Sequence, residues 1–339
     1  MRPLGLPTLE DKLVQQSVAM ILESLWEPHF YRGSYGYRSN KSAHQAVHSL
    51  QTNLQFGSFG YIVEADIKGF FDNMDHEWLL RMLRDKVDDE ALLNLINQWL
   101  KAKIVTPDGV KIKPTEGTPQ GGVISPILAN IYLHYALDLW FDKRVKPTCQ
   151  GNAMLLRFAD DFVVAFQYKD EAEQFYQALA ERLGKFGLEL AADKTHIKRM
   201  SRFSPDPATR FQFLGFEFYW GHSSKGEAHM KCRTATKKLK ATLQGYCAWI
   251  KRNRSRKLKE LMPELQWKLS GFMNYFALPD NSRSVWKVYD TVVELLYKWL
   301  NRRSQRVSYT WGGLKDMLKR YQIKPPNVRK RHVVVDWYC

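Results

Sequence analysis

Apolar residues recur every three to four positions in "EDKLVQQSVAMILESLWEPHF", residues 10–30, which places them along one side of a helix that stops at Pro28. "YRGSYGYRSNKSAHQAVHSLQTNL" opens as a Gly/Ser/aromatic loop, and the helical spacing resumes from Ser42. In "YIVEADIKGFFDNMDH", residues 61–76, the spacing closes up into an apolar run, Tyr61 to Ile67, that reads as a buried strand ending in a polar turn. Residues 77–103 return to the helical period without a Pro or Gly and predict helix throughout.

After the turn at Pro107-Asp108-Gly109, "KPTEGTPQGGVISPILANIYLHYALDLWF" predicts a Gly-rich loop running into a long apolar helix from about Ser125. "MLLRF" and "FVVAF" read as two strands of a hairpin joined through Asp160 and Asp161, and residues 170–187 are helical again. "FQFLGFEFYW", residues 211–220, is dense in aromatics and predicts one strand near the core. From Lys231 onward the pattern is helical with basic and aromatic residues interleaved, which puts a domain boundary near 222–232. The order of elements implies an α+β fold with an antiparallel sheet, followed by a helical domain. There is no internal repeat.

Composition adds a partner. The chain has 339 residues, 45% of them hydrophobic, enough for two or three packed units. Lys and Arg number 51 against 35 Asp and Glu, and the net charge of +16 suits a surface that meets a polyanion, with nucleic acid first. No apolar run reaches the ~20 residues that span a bilayer, and the N-terminus lacks a signal-peptide core, so a cytoplasmic location without membrane is expected. Cys149, Cys232, Cys247 and Cys339 lie far apart at no zinc-like spacing and read as isolated reduced thiols.

The candidate chemistry lies in the carboxylates. Asp160-Asp161 could be an ordinary turn, since Asp favours turns. Asp66, however, ends another apolar strand, and if the two strand ends meet in one sheet the three carboxylates form a cluster that is costly without a cation. Hard divalent cations such as Mg²⁺ take oxygen ligands, and two of them roughly 3.5–4 Å apart serve in-line phosphoryl transfer.

"RPLGLPTLEDKLVQQ", "SYGYRSNKSAHQAV", "EADIKGFFDNMDH", "GTPQGGVISPILANIYLHYALD", "RFADDFVV", "LELAADKTHI" and "FQFLGFEF" follow one another in the order found in reverse transcriptases of the group II intron maturase type. The chain resembles that family over almost its whole length. The resemblance implies a right-hand polymerase fold: partial fingers at 1–60, a palm at 61–225, a helical thumb or maturase domain at 226–312 and a tail at 313–339. It implies RNA-directed DNA synthesis with RNA template, DNA primer and dNTPs as partners, intron RNA as a further one, and no small organic cofactor.

Residue by residue, the resemblance makes Asp66 and Asp160 the principal ligands of two Mg²⁺ ions, with Mn²⁺ as an alternative, Asp161 the second carboxylate of the hairpin, and Ile67 a carbonyl ligand. Phe70 and Phe71 fall where the family keeps a ring against the ribose 2′-hydroxyl. Pro119, Gln120 and Gly121 resemble the loop packed on template and incoming base, Arg2 the triphosphate clamp, and Lys194 the group that protonates pyrophosphate. Phe213, Leu214 and Gly215 would form the primer grip, and Arg302 and Arg303 would track RNA phosphates. Two alternatives stand beside polymerisation: an RNA-binding maturase in which polymerisation is secondary or lost, and a truncated remnant.

Three departures from the family pattern are expected to matter. Met1 directly precedes Arg2, where the family has further fingers elements upstream, so either a fragment of a longer reading frame or incomplete fingers is expected. Phe158 replaces the usual tyrosine before Ala159, at a cost of about 1 kcal/mol at most. No zinc-ligand cluster of an HNH nuclease follows the thumb, so intron insertion would need a host nick or a replication fork.

Overall fold

The computed structural model describes residues 5–105, 110–112, 114–118, 121–193, 195–303, 305 and 308–328. Arg2, Pro119, Gln120, Lys194 and Cys339 lie outside the described residues. Contacts divide the chain into two compact units: the first runs to Leu214 and includes His222–His229, and the second comprises Gly215–Gly221 and continues from Met230.

The first unit opens with α1 (Leu9–Trp26), capped by the Thr8 hydroxyl, and α2 (Ala43–Phe56), capped by the Ser42 hydroxyl. Strand β1 (Tyr61–Asp66) follows, then α3 (His76–Leu83) and α4 (Glu90–Leu100). The single helix expected over 77–103 is therefore two. Asp89 breaks it, because its carboxylate accepts the amides of Ala91 and Leu92 at 2.8 and 3.1 Å and starts a new helix as N-cap. A short hairpin, β2 (Ile104–Val105) and β3 (Lys111–Ile112), leads to α5 (Ser125–Leu133). Beyond it the helix widens to π winding over His134–Asp138 and again over Phe141–Val145.

Strands β4 (Ala153–Phe158) and β5 (Asp161–Phe166) form the expected hairpin, followed by α6 (Lys169–Gly184) and β6 (His196–Arg199). The sheet order is β4-β5-β1-β6 and every pairing is antiparallel. The α+β class with an antiparallel sheet is what the sequence implied. Alternation along the strands sorts the residues: Val63, Ala65 and Ile67 of the β1 segment and Phe162, Val164 and Phe166 of β5 enter the helix-covered core. Glu64, Asp66 and Asp161 consequently project from the opposite face.

The run 211–220 is not one strand. Leu214 and Gly215 take left-handed conformations, φ 53° and 77°, which end β7 (Phe211–Phe213) and begin β8 (Phe216–His222). Residues 231–234 are also strand rather than helix, because "HMKCRT" alternates: Met230, Cys232 and Thr234 are buried in β9 (Ala228–Thr234), with Lys231 and Arg233 between them. In the second unit, α7 (Thr236–Asn253), α8 (Leu258–Phe276), α9 (Ser282–Leu300) and α10 (Trp311–Arg320) share a core that includes Ile250, Leu265, Val292, Leu296 and Leu314. Cys149, Cys232 and Cys247 are free thiols. Among the described residues no helix is long and apolar enough to cross a membrane.

Candidate active site

Asp66 and Asp161 are register partners in the β1/β5 ladder, so their side chains leave the same face of the sheet beside each other. Asp160 occupies the β4–β5 turn directly after Ala159, whose φ is 56°. All three carboxylates are half-buried. Asp161 Oδ2 accepts the Leu214 amide at 3.1 Å. Burial pushes the Asp161 carboxyl up to about 7, the charges of Asp160, Asp66 and Glu64 push the same way, and the Leu214 hydrogen bond opposes them. On the same face, Lys198 is ion-paired with Glu64 at 2.7 Å.

Ile67 forms an isolated antiparallel bridge with Leu190, through Ala191 N–H to the Asp66 carbonyl at 2.9 Å and Lys68 N–H to the Glu189 carbonyl at 2.8 Å. In a pair of that type the bridging residues' own carbonyls point away from the partner. The Ile67 carbonyl is thereby turned toward the β5 side, where Asp160 and Asp161 lie.

The raised carboxyl has a thermodynamic consequence without metal. The folded value of about 7 lies above the ordinary ~3.9 of an unfolded Asp, so between these values the native state holds a proton that the unfolded state releases. Asp161 then contributes stability below about pH 4 that is lost as pH rises to about 7, and the loss is on the order of a few kcal/mol. Urea denaturation in a chelator at pH 5 and pH 8 is expected to show this slope in the wild type and a flatter one in Asp161→Asn. Equal slopes in the two proteins would contradict it.

Phe70 and Phe71 follow β1 in a short 3₁₀ turn and meet edge to face at 5.2 Å. Their environments differ: Phe70 is 1% exposed in the core, whereas Phe71 is only partly buried. Of the two, Phe71 is the ring with surface exposed. The same turn anchors the start of the Gly-rich loop, with the Thr118 amide donating to the Phe71 carbonyl and the Gly117 amide to the Met74 carbonyl, both at 2.7 Å. Gly117 has φ 80° and a Cβ there would lie 2.6 Å from the Asp72 carbonyl oxygen, so the close approach requires glycine. Gly121, exposed at φ 104°, carries the loop onward to α5.

Sequence reading passed over the groups beneath the hairpin. Arg157 is fully buried and ion-paired with the equally buried Asp138, with Nε to Oδ1 at 2.8 Å and Nη2 to Oδ2 at 2.6 Å. The strand alternation explains why the only cation of "RFADDFVVAF" leaves the aspartates alone: Arg157 pairs with Phe162 in the ladder and shares its core-facing side. The π winding over His134–Asp138 ends on the residue that meets the guanidinium. The available signal was a charge within an apolar strand, matched by Asn130 and Asp138 in an apolar helix.

The expected primer-grip residues divide between the units, with Phe213 and Leu214 in the first and Gly215 in the second. Phe213 is buried, and the Gly215 carbonyl accepts the Ala235 amide at 3.0 Å. In the helical unit Arg302 is exposed and stands 5.7 Å from the Trp299 ring, which Lys251, Arg254 and Lys298 also flank at 5.6, 5.3 and 5.6 Å. Arg303 is more enclosed and donates to the Arg256 carbonyl at 3.0 Å.

Among the described residues no three His, Cys, Asp or Glu side chains converge closely enough to hold a metal ion by themselves. Asp66 and Asp161 in register, Asp160 on the adjoining turn and the Ile67 carbonyl offer oxygen donors alone, which is the chemistry that a hard divalent cation takes. Hard cations complete such partial sets with water and substrate phosphate.

The chain belongs to the reverse transcriptases: residues 1–218 match the family described as reverse transcriptase (RNA-dependent DNA polymerase). Residues 236–318 match a second family, the group II intron, maturase-specific domain. The chain is 33% identical over 274 residues to the group II intron-encoded protein LtrA of Lactococcus lactis subsp. cremoris, covering 64% of this chain and 44% of LtrA. It is 31% identical over 259 residues to protein YkfC of Escherichia coli K12, covering 67% and 65%. It thus spans about half of LtrA and about two thirds of YkfC. Among solved structures, telomerase from Candida tropicalis aligns at TM-score 0.48 and 14% identity, covering 92% of this chain and 57% of that one.

Proposed function

We propose that the chain is an RNA-directed DNA polymerase of the group II intron type that extends a DNA primer on an RNA template with dNTPs, and that it also binds intron RNA. The observation that carries this reading is the register pairing of Asp66 with Asp161 beside Asp160, a concentration of carboxylates in a chain of net charge +16. Residues 1–60 would serve as partial fingers, 61–225 as palm and 226–312 as thumb.

Asp66, Asp160, Asp161 and the Ile67 carbonyl would hold two Mg²⁺ ions. Once bound, these would supply activation of the primer 3′-hydroxyl and charge neutralisation at the leaving pyrophosphate. The protein's remaining work is positioning. Phe71 would stack under the sugar and leave no room for a 2′-hydroxyl. Gly121, with Pro119 and Gln120, would let backbone approach the template and incoming base. Phe213, Leu214 and Gly215 would direct the primer end, and the Leu214 amide already steadies Asp161. Arg2 would clamp the triphosphate with its guanidinium fork, and Lys194 would deliver the proton to pyrophosphate.

Extension of a DNA primer on RNA with dNTPs and Mg²⁺, abolished by a chelator, is the test of this reading. A folded chain that binds RNA tightly and extends nothing would instead leave an RNA-binding maturase, a role that the maturase-specific domain favours.

RNA binding by the helical unit makes a second expectation. Four cations around one indole form a site where phosphates and a stacked base can be held together. Replacing Arg254 and Arg302 with alanine is expected to lower the slope of log affinity against log salt by about 0.7 for each phosphate that is no longer neutralised. Because Arg303 already donates to the Arg256 carbonyl, its replacement is expected to change the slope less than that of Arg302. A slope unchanged in the Arg254/Arg302 double variant would contradict a phosphate-tracking role for this surface.

A further inference from the structure

The turn carrying Asp160 is gripped from beneath by side chains that never reach the carboxylates. Arg157, 0% exposed, makes four hydrogen bonds: two to Asp138, one from Nη1 to Asn130 Oδ1 at 3.1 Å, and one from Nη1 to the Ala159 carbonyl at 3.0 Å. That last bond fixes the peptide between left-handed Ala159 and Asp160. A residue with a Cβ adopts the left-handed region only when its surroundings hold it there.

Asn130 joins this turn to a second segment. Its Nδ2 donates to the Gly36 carbonyl at 2.7 Å while its Oδ1 receives Arg157. The loop around Gly36 runs beside the end of β4, with the Arg157 amide donating to the Gly33 carbonyl and the Tyr35 amide to the Arg157 carbonyl, both at 2.8 Å. At Gly36 the two backbones nearly touch, and a Cβ would lie 2.2 Å from the Ala159 nitrogen. Tyr37 follows, itself left-handed at φ 56°, close enough to Asp160 for that charge to add to burial in raising the phenol's pKa.

We propose that Asn130, Arg157 and Asp138 are positioning residues that lock the Gly36 loop and the Ala159 turn together and thereby set the place of Asp160. The proposal rests on the polymerase reading for what Asp160 does, but not for the clamp itself. Packing alone does not explain the arrangement. Apolar residues of similar volume can replace a buried ion pair without loss of stability, whereas a guanidinium fork with one arm on a turn carbonyl dictates geometry.

The test uses Asn130→Ala, which keeps the side chains of the Arg157–Asp138 pair, and Gly36→Ala, which keeps all three clamp side chains and pushes on Ala159 from the loop side. Two measurements are made on the full chain: hydrogen exchange of the 158–161 amides without nucleic acid, and single-turnover primer extension across a dNTP series. Both variants are expected to accelerate exchange at 158–161 by about tenfold or more while core amides of α3 and α6 keep wild-type rates. Maximal extension rate is expected to fall about 10–100-fold with the dNTP concentration for half-maximal rate nearly unchanged.

Exchange at 158–161 that matches wild type in both variants, or that accelerates only together with the whole core, would overturn the clamp. Accelerated local exchange with an unchanged extension rate would overturn its role in placing Asp160. Should the wild-type chain itself extend nothing, the polymerase reading falls, and the exchange measurement still decides whether the clamp exists.

Discussion

Asp161→Asn is expected to lower primer extension on the order of 10³-fold while the chain stays folded and, in a chelator at pH 8, becomes more stable than wild type. The two effects share one cause. Asp161 stands in register with Asp66 and next to Asp160, and burial with these charges pushes its carboxyl up to about 7. Asparagine nearly preserves the shape and removes the charge, so the native state no longer carries the repulsion. It also removes the anionic oxygen that a divalent cation needs. A structural residue would lose activity and stability together; a ligand in a strained cluster loses the first and gains the second. Extension rates, paired with urea midpoints with and without Mg²⁺, read both effects. Added Mg²⁺ is expected to stabilise the wild type more than the variant.

Asp138→Ala is expected to cost roughly 3–5 kcal/mol of stability, the largest single effect on folding in the first unit, because it strands Arg157 in the core. Both partners are 0% exposed, so loss of the carboxylate leaves the guanidinium buried without its counter-ion. The double replacement Arg157→Met with Asp138→Leu should recover much of the loss, since neither charge then needs a partner. Urea denaturation of the single and double variants measures this coupling directly. A loss below about 1 kcal/mol for Asp138→Ala would mean that the pair is more solvated than its burial indicates.

Much of this was legible in the chain because two periods suffice to read it. "YIVEAD" and "FVVAF" are apolar enough to be strands, and Asp66, Asp160 and Asp161 stand at the strand ends that the sheet brings together. Helices α1, α2 and α6 followed from the 3.6-residue pattern, and the structure adds the caps Thr8 and Ser42. The errors arose where local chemistry overrode the pattern. Asp89 capped a new helix inside an unbroken helical run, and left-handed Leu214 and Gly215 divided an aromatic strand.

The clamp was not legible at all. Arg157 lies in the same short stretch as the aspartates, and sequence adjacency suggests a counter-ion for them. Only the strand register shows that it faces the other way. Its partners Asn130 and Asp138 come from a helix whose π turn has no sequence signature. Sequence also could not separate Phe70 from Phe71, which burial does.

The most direct test of the central claim is primer extension on an RNA template with dNTPs and Mg²⁺, comparing the wild-type chain with Asp160→Ala/Asp161→Ala at matched folding and RNA affinity. Extension by the wild type that disappears in the double variant is the predicted result. Equal extension by both chains would contradict the claim that these aspartates form the site of nucleotide transfer.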